Sequence, residues 1–158
     1  GFMLTKDGIK VIEYNARFGD PEAMNVLSIL KSDFLSICIS LVEGKLEKEE
    51  VLFDELATVC KYVVPLGYPN NPTKGFEVFC DQNDSSLFLA SVMFKNKKLI
   101  ACGSRTAAVV GKNRDIQKAE AFAEQGVSNI SGKLFHRKDI GTKDLIDLRV
   151  KRMKELLS

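Results

Sequence analysis

The sequence predicts a mixed fold of the α/β class, more closely α+β, in which a small β-rich unit is flanked by helices. Three observations lead to this prediction. The chain opens with an antiparallel hairpin pattern, its middle consists of short apolar segments separated by turns, and helix start signals precede and follow that middle. Its 158 residues are 45% hydrophobic and 28% charged, a composition typical of a globular protein with its own core.

A hairpin and a first helix are predicted at the start of the chain. Residues 1–5 and 9–15 flank the turn Lys6-Asp7-Gly8, in which glycine accepts a positive φ. Asp20 precedes a proline and a glutamate, a pattern that favours a helix start with Asp20 as its cap. Apolar spacing predicts that this helix continues to Leu30.

Three further helices are predicted from capping residues and from apolar residues that share one helix face. One is expected from about Ser32 or Asp33 to Val42, ending near Gly44. Another begins at Asp115 and ends near Gly126, and a last one covers roughly residues 142–157.

Four short strands are predicted between the two helical regions. Turns that contain Pro, Gly or Asn separate them. The predicted strands are residues 57–66, 75–80, 87–95 and 98–110. The charged stretch 45–50 precedes them and is interpreted as a connection, so we place one unit at residues 1–46 and a second at 47–158.

Charge and cysteine usage exclude several classes of protein. The net charge of +2 is too small by itself to predict a nucleic-acid-binding protein. The four cysteines form no C-x-x-C pair and the chain has one histidine, so the spacing of a structural zinc site is absent. Reduced cysteines are typical of a cytoplasmic protein, and the apolar stretches are too short to span a membrane.

The densest polar segment covers residues 13–22. On a strand, Glu13 and Asn15 would project from the same face because side chains alternate. A carboxylate and an amide oxygen at that spacing suit Mg²⁺, and Arg17 is placed to hold a phosphate oxygen as charge develops. The alternative is an exposed strand end, with Asp20 serving only as a helix cap.

The pattern Glu13-x-Asn15-x-Arg17 resembles the metal-binding signature of the ATP-grasp ligases. The stretch from Arg17 to Met24 reads Arg-Phe-Gly-Asp-Pro-Glu-Ala-Met and is similar to the signature of the phosphoribosylamine–glycine ligase family, also called glycinamide ribonucleotide synthetases. Later segments are similar in order and spacing to that family's C-terminal region: Gly67-Tyr68-Pro69, Lys74-Gly75, Gly103-Ser104-Arg105 and Phe135 to Gly141. Ser104 stands where the family commonly has glycine.

The resemblance implies a domain arrangement and a reaction. Residues 1–46 would be the C-terminal end of an ATP-grasp domain, and 47–158 a small C-terminal α/β domain. The N-terminal part of the same protein would be missing, with Gly1 marking a cut. The complete enzyme would be a cytoplasmic carbon–nitrogen ligase that joins glycine to 5-phosphoribosylamine through a glycyl phosphate, using ATP, in purine biosynthesis. The chain alone would be inactive.

The resemblance also implies site residues. Glu13 and Asn15 would bind Mg²⁺ or Mn²⁺, and Arg17 would be catalytic. Substrates would be bound by Asp20, Arg105, Arg137 and Lys138. For the last two, a loop before a helix is the structural alternative.

Two other interpretations remain open. The basic residues Lys151, Arg152 and Lys154 belong to an ordinary solvated helix face, or else to a stand-alone module whose polyanion binding would depend steeply on salt. The second interpretation is an ATP-grasp ligase that acts on another acceptor, although the Gly-Asp-Pro-Glu segment disfavours it. His136 is interpreted as a half-buried structural residue, since no carboxylate partner is recognisable from its spacing.

Overall fold

The computed structural model of the chain describes residues 1–157 and confirms the mixed helix-and-sheet class. Within these residues, nine strands form three antiparallel sheets beside four α-helices. The strands are β1 Phe2–Thr5, β2 Gly8–Val11, β3 Ala57–Pro65, β4 Glu77–Val78, β5 Leu87–Leu89, β6 Val92–Lys95, β7 Lys98–Ala101, β8 Ala107–Asn113 and β9 Leu134–His136. The helices are α1 Glu22–Leu27, α2 Phe34–Val42, α3 Ile116–Ser128 and α4 Lys143–Leu157.

The largest sheet has four strands in the order β5-β8-β3-β9. Strands β3 and β8 pair over seven residues, from Ala57 opposite Asn113 to Val63 opposite Ala107. Helix α3 packs on one face of these strands with the fully buried Ala119 and its neighbours on the same helix stripe. Small side chains on this stripe let the helix axis approach the sheet closely.

A three-stranded sheet, β4-β7-β6, completes the core. Its buried Val78 and Leu99 pack in one cluster with Val63 of β3, Val109 of β8 and Val127 of α3. The two sheets and α3 therefore share this cluster, and the buried hydrophobic residues that the structure describes all lie between Val59 and Ile130.

The first part of the chain is less buried. Strands β1 and β2 form a separate two-stranded hairpin. Helix α2 begins as predicted, because the Asp33 carboxylate accepts a hydrogen bond of 2.7 Å from the Ser36 backbone N–H. This region contacts the rest of the chain through a bridge between Leu30 and Phe53 and through the Lys112 ammonium, 3.1 Å from the Ser28 carbonyl oxygen.

The predicted strands 87–95 and 98–110 are each divided in the structure. Strands β5 and β8 belong to the four-stranded sheet, whereas β6 and β7 belong to the three-stranded one. The chain changes sheets between β5 and β6, and again between β7 and β8. At the second change Gly103 has a φ of 94°. An apolar pattern indicates extended backbone without indicating which sheet receives it.

Three predicted boundaries were also wrong. Helix α1 ends at Leu27, and Leu30 instead forms an isolated antiparallel bridge with Phe53. Helix α3 continues through Gly126, where an added Cβ would lie 2.6 Å from a Val109 methyl group, so glycine there serves close packing and not helix termination. The predicted strand 75–80 is reduced to β4. No helix within residues 1–157 has both the length and the apolar character that crossing a membrane requires.

Candidate functional site

A cleft of about 560 Å³ lies on the face of the four-stranded sheet that α3 leaves uncovered. Side chains alternate along β3. Cys60, Tyr62 and Val64 line the cleft, whereas Lys61 and Val63 face α3. The remaining lining residues are Pro21, Tyr68, Pro69, Arg105, Phe135, Arg137 and Ile140.

Asp20 connects the first part of the chain to this cleft. Its Oδ1 atom accepts a hydrogen bond of 2.6 Å from the Tyr62 hydroxyl, and its Oδ2 atom lies 3.2 Å from Arg105 Nη2. Arg105 Nη1 also donates to the Asp20 carbonyl oxygen at 3.3 Å, and the guanidinium carbon lies 5.3 Å from the centre of the Tyr62 ring. One carboxylate thus organises Tyr62 of β3 and Arg105 of the loop between β7 and β8.

This arrangement changes the acidity of two cleft residues. Burial, and then the hydrogen bond to Asp20, raise the pKa of Tyr62 above its ordinary value. Burial, with a smaller contribution from the Asp20 charge, raises the pKa of Cys60 to about 12. The Cys60 thiol is therefore protonated at neutral pH and is a poor nucleophile.

The prediction that Asp20 caps the first helix is wrong. The capping position of α1 is Pro21, which makes no side-chain capping bond. The Asp20 carboxylate is instead engaged by Tyr62 and Arg105, 42 and 85 residues away along the chain. Charge-assisted bonds to such partners compete with a local backbone bond, and local sequence does not reveal them.

The three residues of the metal and phosphate pattern lie beyond the end of β2, which stops at Val11, so the predicted strand placement of Glu13 and Asn15 is wrong. Glu13 and Asn15 are nevertheless adjacent, because the Asn15 amide nitrogen donates to Glu13 Oε1 at 3.2 Å. Both are exposed, and Arg17 Nη1 donates to the neighbouring Phe18 carbonyl oxygen at 2.9 Å. A carboxylate beside an amide is a donor set of the kind Mg²⁺ accepts, so these side chains fit a hard cation.

The predicted substrate-binding residues separate into two groups. Arg105 and Arg137 line the cleft, and Asp20 holds one of them in place. The Lys138 side chain instead lines a different groove beside α4, together with Asp139. Glu13, Asn15 and Arg17 are absent from the cleft wall that the structure describes.

The structure contains a buried ionic cluster that the sequence did not predict. The Lys61 ammonium lies 2.6 Å from Glu120 Oε1 and 2.7 Å from Glu124 Oε2, both on α3. His136 Nε2 lies 3.0 Å from Glu124 Oε1, so the histidine does have a carboxylate partner. Burial would raise the pKa of Glu124, but its hydrogen bonds to Lys61 and His136 outweigh this and lower it. The available signal was Lys61, a single lysine within an apolar strand at a position whose side chain faces the core.

A protein-family model described as "Phosphoribosylglycinamide synthetase, C domain" matches residues 58–143. The chain is 52% identical to a curated phosphoribosylamine–glycine ligase from Methanococcus maripaludis and 51% identical to one from Methanocaldococcus jannaschii. Each alignment covers 98% of this chain but only 36% of the relative. The chain therefore spans about a third of the length of these relatives.

A solved structure is similar as well. The crystal structure of phosphoribosylamine–glycine ligase from Thermotoga maritima matches with a TM-score of 0.73 and 26% identity. The match covers 89% of this chain and 35% of that one.

Proposed function

Because the chain belongs to the phosphoribosylglycinamide synthetase C-domain family, we propose that it forms the C-terminal part of a phosphoribosylamine–glycine ligase. One observation carries the proposal within the structure. Asp20, from the polar segment near the start of the chain, is bonded to Tyr62 and Arg105 at the cleft. The two regions that carry the family-like motifs thus contribute to one site.

In this proposal the complete ligase activates glycine with ATP to a glycyl phosphate, and the amine of 5-phosphoribosylamine then attacks it. Arg17 steadies the phosphoryl group during transfer, as a guanidinium can hold two oxygens at once. Arg105 and Arg137 face the substrate from the cleft. Lys138 contributes from the adjoining groove, and Asp20 orients Arg105.

Glu13 and Asn15 are the residues proposed to hold Mg²⁺ or Mn²⁺. When bound, such an ion supplies positive charge that neutralises the phosphate oxygens of ATP. Both side chains are exposed, so nucleotide and water can fill the remaining coordination positions. The 158-residue chain alone is expected to show no glycine-dependent ATP hydrolysis.

A chimeric ligase tests the proposal. The C-terminal region of the Methanococcus maripaludis relative that matches this chain is replaced by the chain. Formation of ADP is then measured with glycine and phosphoribosylamine. The chimera is expected to be active, and Glu13→Gln is expected to lower kcat by about 100-fold or more, because a ligand for the metal is lost.

The control is Asp7→Asn, which removes a carboxylate from the exposed β1–β2 turn and should leave the rate unchanged. A Mg²⁺ titration separates metal binding from folding, because Glu13→Gln should raise the Mg²⁺ concentration needed for half-maximal activity. A folded but inactive parent chimera would contradict the proposed function. Full activity in Glu13→Gln would contradict the metal assignment.

A further inference from the structure

Lys61 carries a buried charge that the reaction proposed above does not use. Its side chain is 0% exposed in the middle of β3, on the face toward α3. Removing an ammonium group from water is costly unless hydrogen-bond acceptors replace the water. The function of this lysine should therefore be sought in its acceptors.

Three acceptors match the three N–H donors of the ammonium group. Two are the carboxylates of Glu120 and Glu124 on α3. The third is the Lys138 backbone carbonyl oxygen, 2.9 Å from Lys61 Nζ. Lys61 therefore joins three parts of the fold: the central strand, the covering helix, and the segment that follows β9.

That last segment carries a wall of the cleft. Lys138 lies between Arg137 and Ile140, both of which line it. The end of the segment is held by close packing, because a Cβ on Gly141 would lie 2.7 Å from a Val59 methyl group. At Lys138 the attachment to the sheet is the Lys61 bond.

We propose that Lys61 is a positioning residue, which holds residues 137–141 against the sheet through the Lys138 carbonyl and so fixes the place of Arg137 in the cleft. The inference rests on the proposed function, in which Arg137 contacts the substrate. An apolar side chain of similar size often replaces a buried ion cluster without loss of stability. Such a side chain cannot donate a hydrogen bond to the Lys138 carbonyl. An apolar replacement therefore tests the positioning of the segment separately from the stability of the fold.

The test uses a variant that removes the ammonium and the carboxylates that it pairs: Lys61→Met with Glu120→Gln and Glu124→Gln. Because Glu124 also contacts His136, Glu124→Gln alone is measured beside it and should change neither the exchange nor the KM described below. In the 158-residue chain, amide hydrogen exchange in residues 138–142 should be about tenfold faster than in the parent. The control is Val109→Ala, a buried change in the same sheet, in a core cluster that contains no residue of this segment. It should not accelerate exchange selectively there.

In the chimeric ligase, the triple variant should raise KM for phosphoribosylamine about tenfold while kcat stays within about twofold. Arg137→Ala should produce the same change, and adding it to the triple variant should produce no further rise, because both act through one contact. The inference would be overturned by an unchanged KM in the triple variant, by an unchanged KM in Arg137→Ala, or by additive effects of the two. In each of these cases the activity of the parent chimera would still support the proposed function.

A parent chimera without ligase activity would instead count against the proposed function. The exchange measurement then decides the role of Lys61 by itself. Selective acceleration in residues 138–142 supports positioning, and exchange equal to that of the parent overturns it.

Discussion

At the residue scale, the most informative contacts are those of Asp20. Its carboxylate is about half exposed, so the ion pair with Arg105 contributes little to folding stability. Its effect is local, because it aligns a guanidinium with the Tyr62 ring at the edge of the cleft. The same carboxylate helps to keep the phenol of Tyr62 protonated.

Asp20→Asn should therefore lower the pKa of Tyr62 part of the way toward its ordinary value of about 10, since burial, the larger cause, remains. A raised pKa means that the folded state holds the phenolic proton more tightly than the unfolded state. The resulting stability is complete below about pH 10 and is lost as pH rises toward the folded-state pKa. In Asp20→Asn this loss should end at a lower pH.

The measurement is an ultraviolet titration of phenolate absorbance, from which the Tyr62→Phe titration is subtracted to isolate Tyr62. Thermal unfolding of the same proteins between about pH 9 and 12, the range in which tyrosines ordinarily titrate, checks that stability follows the pKa of Tyr62. Identical Tyr62 titration midpoints in Asp20→Asn and the parent would show that the hydrogen bond does not act on the phenol.

At the element scale, β3 separates the site from the core. One face contributes Cys60 and Tyr62 to the cleft, and the other contributes Val59 and Lys61 to the contact with α3. Helix α3 packs on the face of β3 and β8 that is opposite the cleft. The geometry of the cleft therefore depends on how closely α3 approaches these two strands. Gly111 of β8 lies very close to the helix, because an added Cβ would lie 1.9 Å from the Ala119 carbonyl oxygen.

Gly111→Ala should lower the free energy of unfolding by about 3 kcal/mol or more, because backbone atoms of α3 would have to move away from the sheet. Urea unfolding measures this loss. The matched control is Gly44→Ala, which has a φ of 67° and open space around it, and which should cost only about 1–2 kcal/mol from backbone strain. Equal losses of unfolding free energy at the two glycines would show that α3 moves away from the sheet without an energetic cost.

At the scale of the whole molecule, the β1–β2 hairpin presents an exposed apolar face. Its register pairs Phe2 with Val11 and Leu4 with Ile9, so these four side chains share one side. Ile9 is 70% exposed and Phe2 is 68% exposed. A two-stranded hairpin with such a face is only marginally stable in water, and exposed apolar patches favour association.

The 158-residue chain should therefore self-associate with increasing concentration, as measured by sedimentation velocity. The double variant Ile9→Ser with Val11→Ser should reduce the association, because it removes apolar area from the exposed face. The control is Lys10→Ser, a change on the opposite side of the same strand. A chain that stays monomeric at all concentrations, or a control that reduces association equally, would contradict this expectation.

Much of the architecture could be predicted because its signals are local. Asp33 and Asp115 each accept a hydrogen bond from a backbone N–H two or three residues later, and their helices begin as expected. Strand β3 was also predicted closely, from a long apolar segment bounded by turns. The motif segments similarly indicated the family, which the family model and the relatives then showed.

Contacts between distant parts of the chain could not be predicted in the same way. The partners of Asp20, the burial of Lys61 and the division of two predicted strands between different sheets all depend on residues tens of positions away. The sequence by itself determined the starts of α2 and α3, the central strand and the resemblance to a ligase family, because capping, turn and periodicity rules act over a few residues. Only the tertiary structure decided which side chains share the cleft, because a carboxylate or an ammonium takes the partners that burial and charge bring to it.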